Sequence, residues 1–284
     1  MRDLEHLVTM AISKVRKSKL TAIFHYMPKG ITEFVYGIYI ILLYPWHYCF
    51  MMGIRKRKNA KKQIVVIGDS HSAFFSGNDS FVTKNMYISR KIGTIQYEKE
   101  KDERFCVLRL GPGLAYNTNR YGSNTKTLEK YEWLKNHFFS SGDTLIVAFG
   151  EIDIRTRVFK YSSGDGYKKN IDNIVDNYME FLLKVKNDGF KTVVWGPIPS
   201  QKDEWDENDR FPRCGSEIQR NKATEYFNKV LNEKCSDNGI GFMTIFYDII
   251  DWQYRTNGDY IFDECHLNQK ARPFLEHQLA LEKL

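Results

Sequence analysis

Residues 64–71 constrain the fold of this chain more than any other stretch. Four β-prone apolar residues lead directly into a Gly-Asp-Ser-His sequence that contains Ser70. A continuous apolar run of this kind is typical of a strand buried on both faces in a parallel sheet, and the glycine after it permits a sharp turn. The stretch therefore predicts an α/β sheet with Ser70 at the carboxyl end of a strand, where open α/β sheets place their chemistry.

From residue 63 onward, apolar strand candidates alternate with helix candidates. Strands are predicted over 64–67, 105–110, 144–149, 192–195 and 242–246, and helices over 125–139, 167–188, 216–236 and 268–281. This alternation predicts a parallel sheet of about five strands with helices on both faces, in a domain spanning 63–284. The polar stretches 77–104 and 200–215 are predicted to be long loops over the active edge, with a small hairpin as an alternative.

Residues 1–62 differ from the rest of the chain in charge and hydropathy. They hold 12 Lys and Arg against three Asp and Glu, whereas the remainder holds 30 against 32. Apolar residues at helical spacing in 4–15 favour an amphipathic helix, and residues 34–53 contain no Asp, Glu, Lys or Arg over about the length of a bilayer core. We predict a membrane-associated helical region over 1–62. The alternatives are a surface helix for the first segment and a buried core helix for the second.

The distribution of charged residues and cysteines also indicates which classes of partner and which cellular compartment fit this chain. The basic cluster at 55–62 predicts that the domain after it faces the cytoplasm. A nucleic-acid-binding domain would carry its basic excess in the folded part, so no nucleic acid is predicted as a partner. The five cysteines are scattered without zinc-like spacing, which favours a reducing compartment and predicts neither a metal nor a cofactor.

Polar residues or glycines follow each predicted strand. Gly111 and Gly113 follow the second strand, and Asp263 and His266 lie just before the last predicted helix. Because the carboxyl ends of parallel strands meet at one edge, we expect these residues to share a site. Ser70 is a candidate nucleophile there, since a serine hydroxyl becomes reactive beside a base such as a histidine. The alternative for Ser70 is a helix N-cap.

In order and spacing, these blocks resemble those of the SGNH (GDSL-like) hydrolase superfamily over about residues 63–270. That superfamily places a nucleophilic Ser in a GDS block, a Gly in a second block, an Asn in a GxND block, and Asp and His in a final DxxH block. The resemblance implies a flavodoxin-like sheet with Ser70 as nucleophile, His266 as base and Asp263 as its orienter. It also implies that backbone N–H groups of Ser70 and of Gly111 or Gly113 stabilise the oxyanion.

The third block departs from the superfamily pattern. Its sequence is Gly-Glu-Ile-Asp, so Ile152 stands where the superfamily has its oxyanion Asn. An isoleucine side chain donates no hydrogen bond, and we predict Asn117 and Arg155 as substitute oxyanion or substrate-binding residues. The alternative is that Glu151, Asp153 and Arg155 form a structural ion-pair network at the strand end. The GEID-x-R form resembles SGNH-like proteins of bacterial surface-glycan biosynthesis.

Two functions follow from the resemblance. The first is a membrane-associated, serine-dependent esterase or O-acyltransferase that acts on a glycan or glycolipid in surface polysaccharide biosynthesis. Both reactions pass through an acyl-enzyme and differ in the acceptor, which is water or a sugar hydroxyl. The second is a weakly active or inactive glycan-binding scaffold, which Ile152 favours.

Overall fold

A computed structural model describes residues 64–284 apart from 161–165, 208 and 210, together with residues 45, 46, 49, 50, 52 and 53. The chain divides into two compact units, Met1–Cys49 and Phe50–Leu284, and only the second is described below. The predicted membrane-associated region 1–62 therefore lies almost entirely outside the described residues. Within the part of the chain that the structure describes, no helix is long and apolar enough to span a membrane.

Seven strands form one mixed sheet in the order β2-β3-β4-β1-β5-β6-β7. The strands are β1 (Ile64–Gly68), β2 (Thr83–Ser89), β3 (Gly93–Glu98), β4 (Phe105–Arg109), β5 (Thr144–Ala148), β6 (Lys191–Trp195) and β7 (Gly241–Met243). Strands β4, β1, β5, β6 and β7 run parallel. Their order is flavodoxin-like, because the first parallel strand in the chain lies between the second and the third.

The predicted parallel sheet of about five strands is present, but two further strands at one edge make it a mixed sheet. Strands β2 and β3 form an antiparallel hairpin that pairs with β4. Met86 and Ile88 are buried while the residues between and before them are not, which is the alternation of a half-buried strand. Because polar residues stand between the buried ones, the sequence of β2 contains no continuous apolar run that would predict a strand. The hairpin alternative for 77–104 is confirmed.

Four longer helices accompany the sheet, close to their predicted bounds. They are α1 (Thr127–His137), α2 (Gly166–Asn187), α3 (Glu217–Asp237) and α4 (Arg272–Leu281). Helix α3 begins with a capping box, in which the Ser216 side chain accepts from the backbone of Gln219 and the Gln219 side chain accepts from the backbone of Ser216. A proline in the first turn of α4 provides a favourable start for that helix.

Both faces of the sheet are covered. Val66 belongs to a buried cluster with Phe75 and with Leu275 of α4. The next residue along β1, Ile67, points to the opposite face and is also fully buried. On that face, Tyr178 of α2 donates to the carbonyl of Val147 at 3.4 Å. Burial on both faces explains the continuous apolar runs of the parallel strands.

The segment 200–215 is a loop, as predicted, and it is anchored by the first turns of α3. The fully buried Arg220 donates to Ser200 Oγ at 2.9 Å and to the Gln201 carbonyl at 2.7 Å. The same guanidinium pairs with Asp203 at 2.9 Å. A buried cation with several acceptors holds a loop strongly, so the first residues of this segment are anchored to α3.

Candidate active site

Ser70 lies at the carboxyl end of β1, as predicted. It begins a 3-10 helix, Ser70–Ser76, which is capped by Asp69 through a 2.9 Å hydrogen bond from the backbone N–H of His71. The N-cap alternative for Ser70 is therefore wrong, because the preceding residue occupies that position. The Ser70 hydroxyl is left to interact with a more distant residue.

The structure brings Ser70, His266 and Asp263 together. His266 Nε2 lies 2.7 Å from Ser70 Oγ, and His266 Nδ1 lies 2.7 Å from Asp263 Oδ2. Because a carboxylate only accepts, Nδ1 donates to Asp263, and Nε2 of the neutral ring accepts from the Ser70 hydroxyl. The second oxygen of Asp263 accepts from the backbone N–H groups of Cys265 at 2.9 Å and of His266 at 2.8 Å.

The surroundings of His266 favour the protonation states that a general base needs. Burial lowers the pKa of His266, the hydrogen bond to Asp263 opposes this, and the nearby His71 lowers the pKa further. Burial would raise the pKa of Asp263, but the hydrogen bond and charge of His266 outweigh it and lower that pKa. At neutral pH the ring is therefore largely neutral and the carboxylate is ionised.

A second layer of buried polar residues supports the triad. His71 Nε2 donates to Glu151 Oε2 at 3.1 Å, and the His71 and His266 rings lie 4.8 Å apart between centroids. Arg155 donates to both oxygens of Glu151 at 2.7 and 3.0 Å. Burial alone would lower the pKa of His71, but the hydrogen bond and charge of Glu151 raise it.

The predicted ion-pair alternative is thus confirmed for Glu151 and Arg155. Asp153 lies outside this pair, since its carboxylate accepts from the backbone N–H groups of Ala115 at 2.7 Å and Tyr116 at 3.3 Å. Sequence reasoning interpreted His71 as a wall residue of the site and gave it no catalytic role. Its position directly after Ser70 was the one available signal, because nothing local indicates a partner 80 residues away.

The four predicted oxyanion or substrate residues occupy different environments. A Cβ at Gly113 would lie 2.8 Å from Thr127 Oγ1, and the Gly113 N–H donates to the Gly111 carbonyl at 2.7 Å. Arg155 also donates to the Phe211 carbonyl at 3.1 Å. Asn117 lines a large cavity together with Ile152. The hydrogen-bond partner of the Ser70 hydroxyl among the described residues is His266, so the role of these four stays a prediction.

One group of side chains has the donor atoms for a metal ion. The ligand atoms of His71, Cys265 and His266 all lie within 4.8 Å of one another. Both ring nitrogens of His266 already serve Ser70 and Asp263. Burial raises the pKa of the Cys265 thiol, which disfavours the thiolate that binds metals. The two engaged nitrogens of His266 and the protonated Cys265 thiol therefore make this group poorly suited to a metal ion.

Neither a protein-family model nor a curated protein matches this chain. Several solved structures do. A protein from Streptococcus pneumonia named for platelet activating factor matches with a TM-score of 0.51 and 12% identity, over 90% of this chain and 99% of that one.

Two further solved structures match less well. A GDSL-like lipase from Bacteroides thetaiotaomicron has a TM-score of 0.49 and 12% identity, over 83% of this chain and 97% of that one. An acetylxylan esterase from Geobacillus stearothermophilus has a TM-score of 0.44 and 11% identity, over 78% and 93%. At this identity the likeness to the Streptococcus protein shows the fold alone: this chain shares its α/β fold over nearly the full length of that protein.

Proposed function

We propose that this chain is a serine-dependent ester hydrolase or O-acyltransferase of the SGNH type. One observation carries the proposal: Ser70 Oγ, His266 and Asp263 form a continuous chain of two 2.7 Å contacts at the carboxyl edge of the sheet. This arrangement of alcohol, imidazole and carboxylate is that of a catalytic triad. Sequence resemblance, fold and contact geometry all support the same three residues.

In the proposed reaction, His266 Nε2 takes the proton of Ser70 as its Oγ attacks the ester carbonyl carbon. The tetrahedral intermediate collapses, the ester C–O bond breaks, and His266 gives the proton to the leaving alcohol. Water or a sugar hydroxyl then attacks the acyl-Ser70 ester, with His266 taking its proton and returning it to Ser70 Oγ. Asp263 holds the ring in the orientation and tautomer that both steps require.

The oxyanion is proposed to bind to backbone N–H groups of Ser70 and Gly111. Gly111 is favoured over Gly113 because the N–H of Gly113 already donates to the Gly111 carbonyl. Ile152 supplies no side-chain donor, and loss of one such donor typically slows catalysis by about 10²–10³. The same observation favours the second candidate function, a glycan-binding protein with little turnover.

A glycan or glycolipid in surface polysaccharide biosynthesis is the proposed substrate, on the strength of the GEID-x-R resemblance. The basic, apolar region 1–62 supports a location at the cytoplasmic membrane surface, where a lipid-linked glycan would be accessible. We propose O-acyl transfer to a sugar, or removal of such an acyl group, as the physiological reaction.

The test is covalent labelling of the full chain with a fluorophosphonate, together with hydrolysis of p-nitrophenyl acetate. We expect one phosphonyl adduct, on Ser70. Ser70→Ala should form no adduct, and its rate of p-nitrophenyl acetate hydrolysis should be at least about 10³-fold lower. The exposed Ser236 provides a matched control, since Ser236→Ala should keep both. If Ser70→Ala kept the wild-type rate of hydrolysis, Ser70 would be excluded as the nucleophile. Glycan binding without any acyl-enzyme in mass spectrometry would favour the binding protein.

A further inference from the structure

A cavity of about 880 Å³ opens at the same edge of the sheet as Ser70. Its walls come from the start of β3, the loop after β4, the segment leading into α1 and the helical segment after β5. Phe211 and Pro212 from the 200–215 loop complete it. The volume lies in the range of pockets that hold whole small-molecule ligands.

The lining of this cavity carries one sign of charge. Five of its 20 lining residues are Lys or Arg, and none of these described residues is Asp or Glu. The chain from residue 63 onward holds 30 Lys and Arg against 32 Asp and Glu, so the basic excess is local. The basic lining residues are Arg120, Lys126, Lys130, Arg157 and Lys160.

The two cavity arginines differ from most others in the domain because, within the described part of the chain, they lack carboxylate partners. Seven arginines have a carboxylate oxygen at 3.8 Å or less, namely Arg104, Arg109, Arg155, Arg213, Arg220, Arg255 and Arg272. Arg120 and Arg157 have no such pair among the described residues. Arg120 donates to Asn177 Oδ1 at 3.2 Å instead. Asp153 interacts with Arg157 only electrostatically, and burial raises the pKa of Asp153 to about 7.

Lys130 is a buried cation without a carboxylate pair in the described structure. It is only 6% exposed, and its ammonium group donates to the Leu110 carbonyl. Burial, together with the nearby Lys126, lowers the pKa of Lys130 to about 8. Burying an ammonium group without a counter-ion is costly, so a bound anion would stabilise this wall of the cavity.

The cavity and Ser70 lie at the same edge of the sheet, although none of the three triad residues lines the cavity. Strand β1 runs between β4 and β5, so the segments that leave those two strands flank Ser70. Ile152 lines the cavity, and the adjacent Glu151 binds His71, which follows Ser70 in the chain. A Cβ at Gly111 would lie 3.5 Å from Lys130 Nζ. A ligand bound in the cavity would have to extend along this edge to bring an acyl group to the triad.

We propose that this cavity binds a phosphate-bearing part of the substrate, of about diphosphate size, at the same edge of the sheet as Ser70. The inference rests on the proposed acyl-transfer function and names the substrate class of that site. Arginine forks match phosphate oxygens in bidentate contacts, and lysines add compact positive charge. An amide and a hydroxyl of the lining, those of Asn117 and Thr125, supply further donors. The phosphate belongs either to a phosphate-linked sugar or to an acyl donor such as coenzyme A.

Isothermal titration of inorganic pyrophosphate into the full chain carrying Ser70→Ala tests the inference without any turnover. We expect saturable binding that weakens with added salt. Adding Arg157→Gln should weaken binding about tenfold or more, and Arg157→Lys should retain most of it because the charge remains. Arg157 is exposed, so its replacement leaves the core intact.

The control variant is Lys191→Gln, which removes the same charge at the amino-terminal end of β6, opposite the cavity. It should bind pyrophosphate as the parent does. Absence of binding at millimolar pyrophosphate, or equal binding by Arg157→Gln and its parent, would overturn the inference. Serine-dependent hydrolysis of p-nitrophenyl acetate by the wild type is scored separately, so the proposed function can stand while this inference fails, and the reverse.

Competition then identifies the source of the phosphate. Coenzyme A and uridine diphosphate glucose are each titrated against bound pyrophosphate. Displacement by coenzyme A alone assigns the cavity to an acyl donor, and displacement by the sugar diphosphate alone assigns it to the glycan substrate. If neither displaces pyrophosphate, the cavity does not serve a phosphate-bearing substrate and the inference is wrong.

Discussion

At the level of single residues, the site depends on keeping each buried group in one protonation state. The His266 ring has to be neutral to accept the Ser70 proton, and Asp263 has to be ionised to hold Nδ1–H. Burial of His266 and the hydrogen bond between the two residues favour both states near neutral pH. His71 contributes through space, since its ring lies 4.8 Å from that of His266.

The first prediction concerns the pH dependence of turnover. A general base works only when deprotonated, so kcat/KM for p-nitrophenyl acetate should rise with pH through a pKa below 6.5 and then level off. Because His71 lowers the pKa of His266, His71→Asn should move the midpoint to higher pH. Rates between pH 4.5 and 8.5 measure both effects.

The exposed His277 provides the control, since His277→Asn should leave the profile unchanged. A wild-type rate that falls with pH through a single ionisation in this range would contradict a neutral His266 base. An unchanged midpoint in His71→Asn would mean that His71 has no electrostatic effect on the base.

The second prediction concerns the buried pair of Glu151 and Arg155. Glu151→Gln leaves the Arg155 guanidinium buried without a counter-charge, and breaking a buried pair in this way typically costs about 3–5 kcal/mol. Urea unfolding should show this loss in the free energy of unfolding. The double variant Glu151→Gln/Arg155→Met should recover part of it, because no uncompensated charge remains. Additive losses in the double variant would show that the two residues are not coupled.

The third prediction concerns Asp69, which is fully buried with one carboxylate oxygen unpartnered among the described residues. Burial raises its pKa from 3.8 to about 6. Between these values the folded state holds the proton more tightly than the unfolded state, so stability falls as pH rises through this window. Asp69→Asn should therefore raise the free energy of unfolding by about 3 kcal/mol at pH 8 and leave it nearly unchanged at pH 3.5.

Unfolding in urea at both pH values measures the effect of Asp69→Asn. The exposed Asp237 on α3 is the matched control, and Asp237→Asn should change stability by less than about 0.5 kcal/mol at either pH. Destabilisation by Asp69→Asn at pH 8 would mean that the ionised carboxylate is favoured in the fold.

At the level of elements, the site depends on the turns that leave the carboxyl ends of the parallel strands. Gly150 makes the turn after β5 with φ +121°, and a Cβ there would lie 2.9 Å from both Phe227 and Pro197. The next residue is Glu151, whose carboxylate binds His71. The packing of α3 against this turn therefore fixes a residue that supports the triad.

We predict that Gly150→Ala destabilises the fold by about 2–4 kcal/mol and also lowers the rate of ester hydrolysis. Both positive φ and a steric clash act at this position. Gly142 separates them, because it has φ +85° but no atom within 4 Å of a built Cβ. Gly142→Ala should cost only about 1 kcal/mol in urea unfolding and leave the rate unchanged. Equal losses in the free energy of unfolding of the two variants would show that the steric clash at Gly150 contributes nothing.

At the level of the whole molecule, charge is divided between a basic region and a nearly neutral domain. The membrane association of residues 1–62 stays a prediction. We expect the full chain to float with vesicles containing anionic phosphatidylglycerol and to bind less in high salt, since each basic residue near such a surface contributes about 1 kcal/mol. Replacement of residues 55–58 by glutamine should reduce the floating fraction strongly.

A control with the same loss of charge carries Lys168, Lys169, Lys191 and Lys229 replaced by glutamine in the folded domain. This variant should float as the wild type does. If the full chain stays at the bottom of the gradient with anionic vesicles, residues 1–62 do not bind membranes. Equal loss of flotation in both variants would point to a general charge effect.

Local sequence patterns determined the parallel strands, the longer helices and the strand-end position of Ser70. These features depend on apolar periodicity and turn chemistry within a few residues, which the sequence contains directly. The β2–β3 hairpin was only an alternative, because its half-buried strands carry a weak alternating pattern. That Ser70, Asp263 and His266 share a site was predicted from their positions at strand ends, whereas the role of each residue followed from resemblance to a known superfamily.

Tertiary structure alone decided the remaining features of the site. Nothing near Glu151 in sequence indicates that it binds His71 as well as Arg155, or that Asp153 binds backbone N–H groups instead. Five basic residues spread over positions 120–160 meet in one cavity because the exits of β4 and β5 flank β1. Such distances are set by strand pairing across the sheet, a long-range property that no local window of sequence contains.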